Sequence, residues 1–116
     1  MIDEQTQQVL QILNKCASKR ETIFYDDLYE QIKLNWGNPS DRNSGTKILE
    51  AVSRMTIKTN RTLLSAIVVL SVDGIPACDF YEFATKLNLL KKSASEEEMS
   101  IFWAEQVEKV FQAHCK

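Results

Sequence analysis

Residues 63–72 read LLSAIVVLSV, ten positions without a charge. Asp73, Gly74 and Pro76 end the run. A membrane-spanning helix needs about 20 apolar residues. This segment is too short, so it must be buried inside the protein itself. The β-branched content of residues 64–70 predicts a core strand. Asp73-Gly74 is a favoured hairpin turn, because both positions tolerate positive φ, and 75–78 would be a short return strand.

The rest of the chain must supply elements that cover such a strand. Asp3 is placed to cap a first helix, in which Val9, Ile12, Leu13 and Cys16 recur at helical spacing. Thr22 to Phe24 reads as a short extended piece. Asp26 or Asp27 starts a second helix, with Leu28 and Ile32 facing inward. "NWGNPSDRNSG" is turn chemistry, punctuated by Gly37, Pro39 and Gly45. A third helix is expected from about residue 45 to 59, capped by Ser40 or Ser44, with Ile48, Leu49, Val52 and Met55 as its apolar stripe. Asp79 caps a fourth helix and stands three residues before Glu82, in the spacing of a capping box; Phe80, Phe83, Ala84 and Leu87 form its inner face. Ser95 and Glu98 make the same box before a fifth helix, which buries Met99, Phe102, Trp103, Val107, Val110 and Phe111.

The expected fold class is therefore mostly α, α+β, in one domain spanning residues 1–116. The order helix, short strand, two helices and β-hairpin resembles a winged helix over about residues 3–78. The C-terminal helices, about 79–114, would be an addition to it. Separately, "TIFYDDL", "LLSAIVVLSVDGIPACDFYEFA" and "FWAEQVEKVF" resemble a pattern that recurs in small bacterial proteins. That pattern would have glycines near Ala77 and Cys78, which this chain lacks.

Composition narrows the function classes. Hydrophobic residues at 44% and charged residues at 26% fit an ordinary globular protein of 116 residues with a single core. The N-terminal "MIDEQTQQVL" lacks the basic and apolar segments of a secretory signal. Cys16, Cys78 and Cys115 are odd in number and lack the short spacing of a zinc knuckle. A cytoplasmic protein with free thiols, no membrane segment and no cofactor is expected. No phosphate-cradling glycine motif occurs. His114, the only histidine, does not form a catalytic set with Cys78 and Asp79 that stands out from a mobile chain end. Asp26-Asp27 and Glu96-Glu97-Glu98 stand where helix starts favour acids. No enzyme is indicated.

The net charge of −2 argues against a whole-protein grip on polyanions. Locally the sign reverses. Residues 41–61 hold Arg42, Lys47, Arg54, Lys58 and Arg61 against Asp41 and Glu50, a segment of +3. At 100° per residue, Lys47, Arg54, Lys58 and Arg61 share one helix face if the helix persists as far as residue 61. In a winged helix this helix enters the major groove, so a duplex nucleic acid is one expected partner, with Asn43, Thr46 and Ser53 as hydrogen-bonding neighbours. The expected hairpin, in contrast, has no lysine or arginine. A protein partner, for an interaction module or an accessory or inhibitor protein, is the other expectation, through the C-terminal helix or through Trp36 as an anchor in a polar loop, unless Trp36 folds back onto the domain. Trp103 lies on an apolar stripe and reads as core.

Overall fold

The computed structural model describes residues 4–114, except for the side chain of residue 60. It is mostly helical, with a small parallel sheet. The helices are α1 (Glu4–Ser18), α2 (Tyr25–Gln31), α3 (Pro39–Asn60), α4 (Cys78–Lys86) and α5 (Glu96–His114). The strands are β1 (Ile23–Phe24) and β2 (Val68–Val69), and a 3-10 turn covers Leu64–Ile67. Asp3, the expected cap of the first helix, lies outside the described residues.

The uncharged run is core, but it is not one strand of a hairpin. Its first part is the 3-10 turn. Its second part, β2, pairs parallel with β1, with Ile23 opposite Val68 and Phe24 opposite Val69. Among the described residues no return strand follows. The Leu70 N–H donates to the Ile75 carbonyl at 2.7 Å, and the Gly74 N–H donates to the Leu70 carbonyl at 2.8 Å. These bonds close a tight loop that leads directly into α4. Gly74 has φ of 71°, and Asp73 is not in the left-handed region. Asp73 instead accepts from the Ile75 N–H at 3.2 Å, an Asx turn. Pairing with β1 across two helices decides the sheet, and the local turn signal does not.

Every residue from Leu63 to Val69 is buried. Backbone groups inside a core must be hydrogen-bonded. A 3-10 turn satisfies few of them, and side chains do the rest. Thr56 Oγ1 donates to the Thr62 carbonyl at 2.7 Å and accepts from the Leu64 N–H at 3.3 Å. Ser53 Oγ accepts from the Ser65 N–H at 3.1 Å and donates to Ser65 Oγ at 2.8 Å. From α5, Trp103 Nε1 donates to the Ala66 carbonyl at 2.8 Å. Two apolar clusters flank the run. One joins Val9, Leu13, Leu28, Tyr29, Val52 and Val110 to Ile67 and Val68; the other joins Phe80, Phe83 and Ala84 to Leu63 and Ala66.

Helix α3 begins well before residue 45, inside the segment that reads as turns. Asn38 is its cap, accepting from the Asp41 N–H at 3.1 Å, and Pro39 takes the first position, where its missing N–H costs nothing. Ser40 and Ser44 are thus helical residues. Gly45 marks a close approach within the helix, not its start. A Cβ there would lie 2.0 Å from the Tyr29 hydroxyl oxygen and 2.1 Å from Cζ, so only glycine lets Tyr29 pass. In α4 the cap position is Ala77, without a side-chain bond, so the expected Asp79–Glu82 box is not formed. In α5 the box is present: the Ser95 N–H donates to Glu98 Oε1 at 3.2 Å and the Glu98 N–H donates to Ser95 Oγ at 3.1 Å. The expected apolar face of α5 is covered unevenly. Val110 is buried, whereas Met99, Phe102, Trp103, Val107 and Phe111 are half-buried.

Two substitutions test this architecture. Thr56→Val keeps the shape and takes from the Leu64 N–H its hydroxyl acceptor in the core. Chemical denaturation is expected to show a loss of about 2 kcal/mol or more; an unchanged midpoint would rule out the hydroxyl's bridging role. Gly74→Val has free space for its side chain, since nothing lies within 4 Å of the Cβ position. Its whole cost is therefore backbone strain at positive φ, expected at about 1–2 kcal/mol. A melting temperature equal to wild type would contradict the loop geometry.

Candidate functional site

The cations of residues 41–61 do not form one uniform stripe. Arg42 is turned back onto the loop before α3. Its guanidinium carbon lies 4.4 Å from the Trp36 ring centroid, and its Nε donates to the Trp36 carbonyl. Tyr25 stacks on Trp36, with centroids 4.7 Å apart and planes at 18°, while Tyr29 meets it edge-on at 5.2 Å. Trp36 is half-buried. The Asn35 N–H donates to Asp41 Oδ2 at 2.8 Å and the Gly37 N–H donates to Asn35 Oδ1 at 2.9 Å, which ties the loop further.

Lys47, Arg54 and Lys58 stand on the outer face of α3, all exposed. They span about 16 Å at 1.5 Å per residue. Arg61 follows as the helix C-cap with φ of 59°, exposed but off the helical track. Among the described residues, the ion pairs within 4.0 Å are Arg20–Glu108 and Lys91–Glu98, so none engages these four cations. Arg54 does have a partner of another kind: its guanidinium carbon lies 5.2 Å from the centre of the Phe83 ring of α4. The half of the segment from residue 51 to 61 holds three of the cations and no carboxylate.

The neighbours expected to hydrogen-bond a ligand are mostly turned away. Ser53 is fully buried beneath the uncharged run. Thr46 Oγ1 donates to Asp79 Oδ2 at 3.0 Å. Asn43 remains exposed. The outer face thus presents charge with little directional hydrogen bonding.

One cluster was not legible in the sequence. Tyr25, Thr46, Glu50, Ser65 and Asp79, with Leu49, Phe80 and Phe83, line a small cavity of about 20 Å3. It is large enough for one water-sized group. Three helices, α2, α3 and α4, and the 3-10 turn meet there, which is why no spacing in the chain announces it. The tyrosines nearby are shifted by their surroundings. Burial is the main cause that pushes Tyr29 up to about 12, with Asp79 adding to it and Thr46 and Arg42 opposing it. Burial likewise pushes Tyr25 up, while its bond from the Ala77 N–H opposes this.

The remaining candidates stay apart from one another. Cys78 is the exposed first residue of α4. The His114 ring meets the Val110 carbonyl of its own helix at 2.9 Å. Cys115 lies outside the described residues. Asp26 and Asp27 occupy the first turn of α2, and Glu96, Glu97 and Glu98 the first turn of α5. Among the described residues no three His, Cys, Asp or Glu side chains gather into a metal-binding group, and no helix is long and apolar enough to cross a membrane. Compared with known proteins, the chain matches no family model, no curated protein and no solved structure.

The tyrosine shifts have a consequence for stability. The unfolded chain gives up its phenol protons near the usual 10.0, while folded Tyr29 keeps its proton to about 12. The stability that the buried Tyr29 phenol contributes is therefore fully present below about pH 10 and falls as pH rises toward 12. Denaturation midpoints measured across this window should decline, and Tyr29→Phe should make the decline shallower. A profile that is flat in wild type would contradict the buried neutral phenol.

Proposed function

We propose that this protein is a non-enzymatic binding module that holds the phosphate backbone of nucleic acid against the outer face of α3, without reading sequence. The observation that carries the reading is the set of four exposed cations, Lys47, Arg54, Lys58 and Arg61, with no carboxylate partner among the described residues. Exposed, unpaired cations in file are the elements of phosphate contact. The inward turn of Ser53 and Thr46 leaves few groups to read base edges, which favours sequence-independent binding. Arg42 contributes to the loop, not to this face.

The loop at residues 70–75 supplies Asp73 and no cation, so contact is confined to α3 and its immediate surroundings. A winged-helix mode, with α3 in a major groove, draws support only from the order of the helices. The competing reading, a protein-interaction module centred on Trp36, has less support because Tyr25, Tyr29 and Arg42 of the same chain already pack against that ring.

The test is a salt titration of binding to duplex and single-stranded probes. The variant Lys47→Ala/Arg54→Ala/Lys58→Ala/Arg61→Ala should weaken affinity for any sequence. Each lost contact should flatten the dependence of log K on log salt by about 0.9 unit for a duplex and about 0.7 for a single strand. The fold should persist, because these side chains lie outside the core. If wild type binds no nucleic acid even at low salt, the reading fails and a protein partner takes its place.

A further inference from the structure

The cations of α3 point toward a second feature. Arg54 lies over Phe83, and Lys86 stands one turn further along α4, on the same side of that helix. Ile57 of α3 packs into the cluster that contains Phe83 and Ala84. Arg54 thus brings the basic face of α3 up to Phe83 of α4, one turn before Lys86. Beyond it lies a shallow groove of about 350 Å3 between α4 and the start of α5. Tyr81, Leu90 and Met99, all half-buried, form its apolar lining, and Lys86, Lys91 and Lys92 line its polar side together with Glu82. Lys91 is held by Glu98 at 2.8 Å. Lys86 and Lys92 are exposed and form no ion pair among the described residues.

We infer that a single-stranded segment of nucleic acid runs off α3 into this groove, where one unpaired base lies against Tyr81, Leu90 and Met99 while adjacent phosphates meet Lys86 and Lys92. This rests on the phosphate-binding reading of α3 and adds a site to it. The chemistry of the groove carries the choice of ligand. An apolar lining with an aromatic ring suits the flat face of a base, and neighbouring cations suit the phosphates attached to it. A groove of this volume is within the usual range for a small ligand. In a duplex the base faces are stacked against one another and cannot enter. In a single strand they are free, and stacking on a protein aromatic tolerates any base, in keeping with the absence of sequence-reading groups on α3.

The experiment uses the full chain and three probes of equal length: an oligothymidine, an abasic single strand and a duplex. Wild type is expected to bind the oligothymidine more tightly than the other two. Tyr81→Ala should weaken oligothymidine binding about tenfold and abolish its advantage over the abasic strand. Lys86→Ala/Lys92→Ala, at exposed positions that leave the core intact, should flatten the salt dependence by about 1.4 units, 0.7 for each contact. If Tyr81→Ala does not fold, the abasic comparison and the lysine variant decide. Equal binding of all three probes, or a salt slope unchanged in the lysine variant, overturns the groove site. When this happens while the α3 variant still loses affinity, the α3 reading stands alone. Binding of no probe by wild type overturns both.

Discussion

Everything in this fold is arranged around the need to hydrogen-bond a segment that water cannot reach. Residues 63–69 pass through the interior, and the first part is neither an α-helix nor part of a sheet. Its backbone donors and acceptors must find partners among side chains, because an unmade hydrogen bond there would cost more than most contacts contribute. Ser53 and Thr56 provide them from α3, and Trp103 provides one from α5. This requirement fixes how α3 is rotated about its axis. With Val52, Ser53 and Thr56 directed into the core, Lys47, Arg54 and Lys58 must face outward. The exposed basic face is the other side of the constraint that closes the core.

A second contact fixes the beginning of α3. Tyr29 is among the largest fully buried side chains, and its ring crosses the helix at Gly45. Its hydroxyl donates to the Arg42 carbonyl at 3.3 Å. The same loop is held by Trp36 between Tyr25 and Arg42. Two residues that stand out in the sequence, a lone Trp in a polar loop and a basic residue near it, therefore occupy each other. Their interaction is structural, and it ties the Arg42 guanidinium to the loop although Arg42 stays exposed.

The acidic total and the basic face coexist because charge is distributed unevenly along the chain. Acids gather at helix starts, as with Asp26 and Asp27 in α2 and Glu96 to Glu98 in α5, where the helix dipole favours them. Cations gather toward the ends of α3 and α4, where Lys58 and Lys86 stand in last turns. The dipole accounts for their presence at these ends. It does not account for their being unpaired among the described residues, nor for an apolar groove beside Lys86, and the proposed polyanion binding rests on those two features.

The sequence by itself determined the elements whose cause is local. The Ser95–Glu98 box, the helical stripe of Val9 and Leu13 and the burial of the uncharged run all follow from neighbouring residues, through capping, periodicity and the aversion of apolar surface to water. The exposure of Lys47, Arg54 and Lys58 was legible for the same reason, since helical spacing sets them away from the stripe of Leu49 and Val52, whereas Arg61 lies past the helix end. Tertiary structure decided whatever depends on distant partners. Asp73-Gly74 forms a loop and not a hairpin because β1, not the following residues, pairs with β2. Gly45 lies inside a helix and not at its start because Tyr29 needs the space of its missing side chain. Ser53 and Thr46 turned from ligand candidates into internal bonds because Ser65 and Asp79 come to them from later in the chain. The cavity of Tyr25, Thr46, Glu50, Ser65 and Asp79 and the groove beside Tyr81 exist only where separate elements meet, and no local pattern encodes such a meeting.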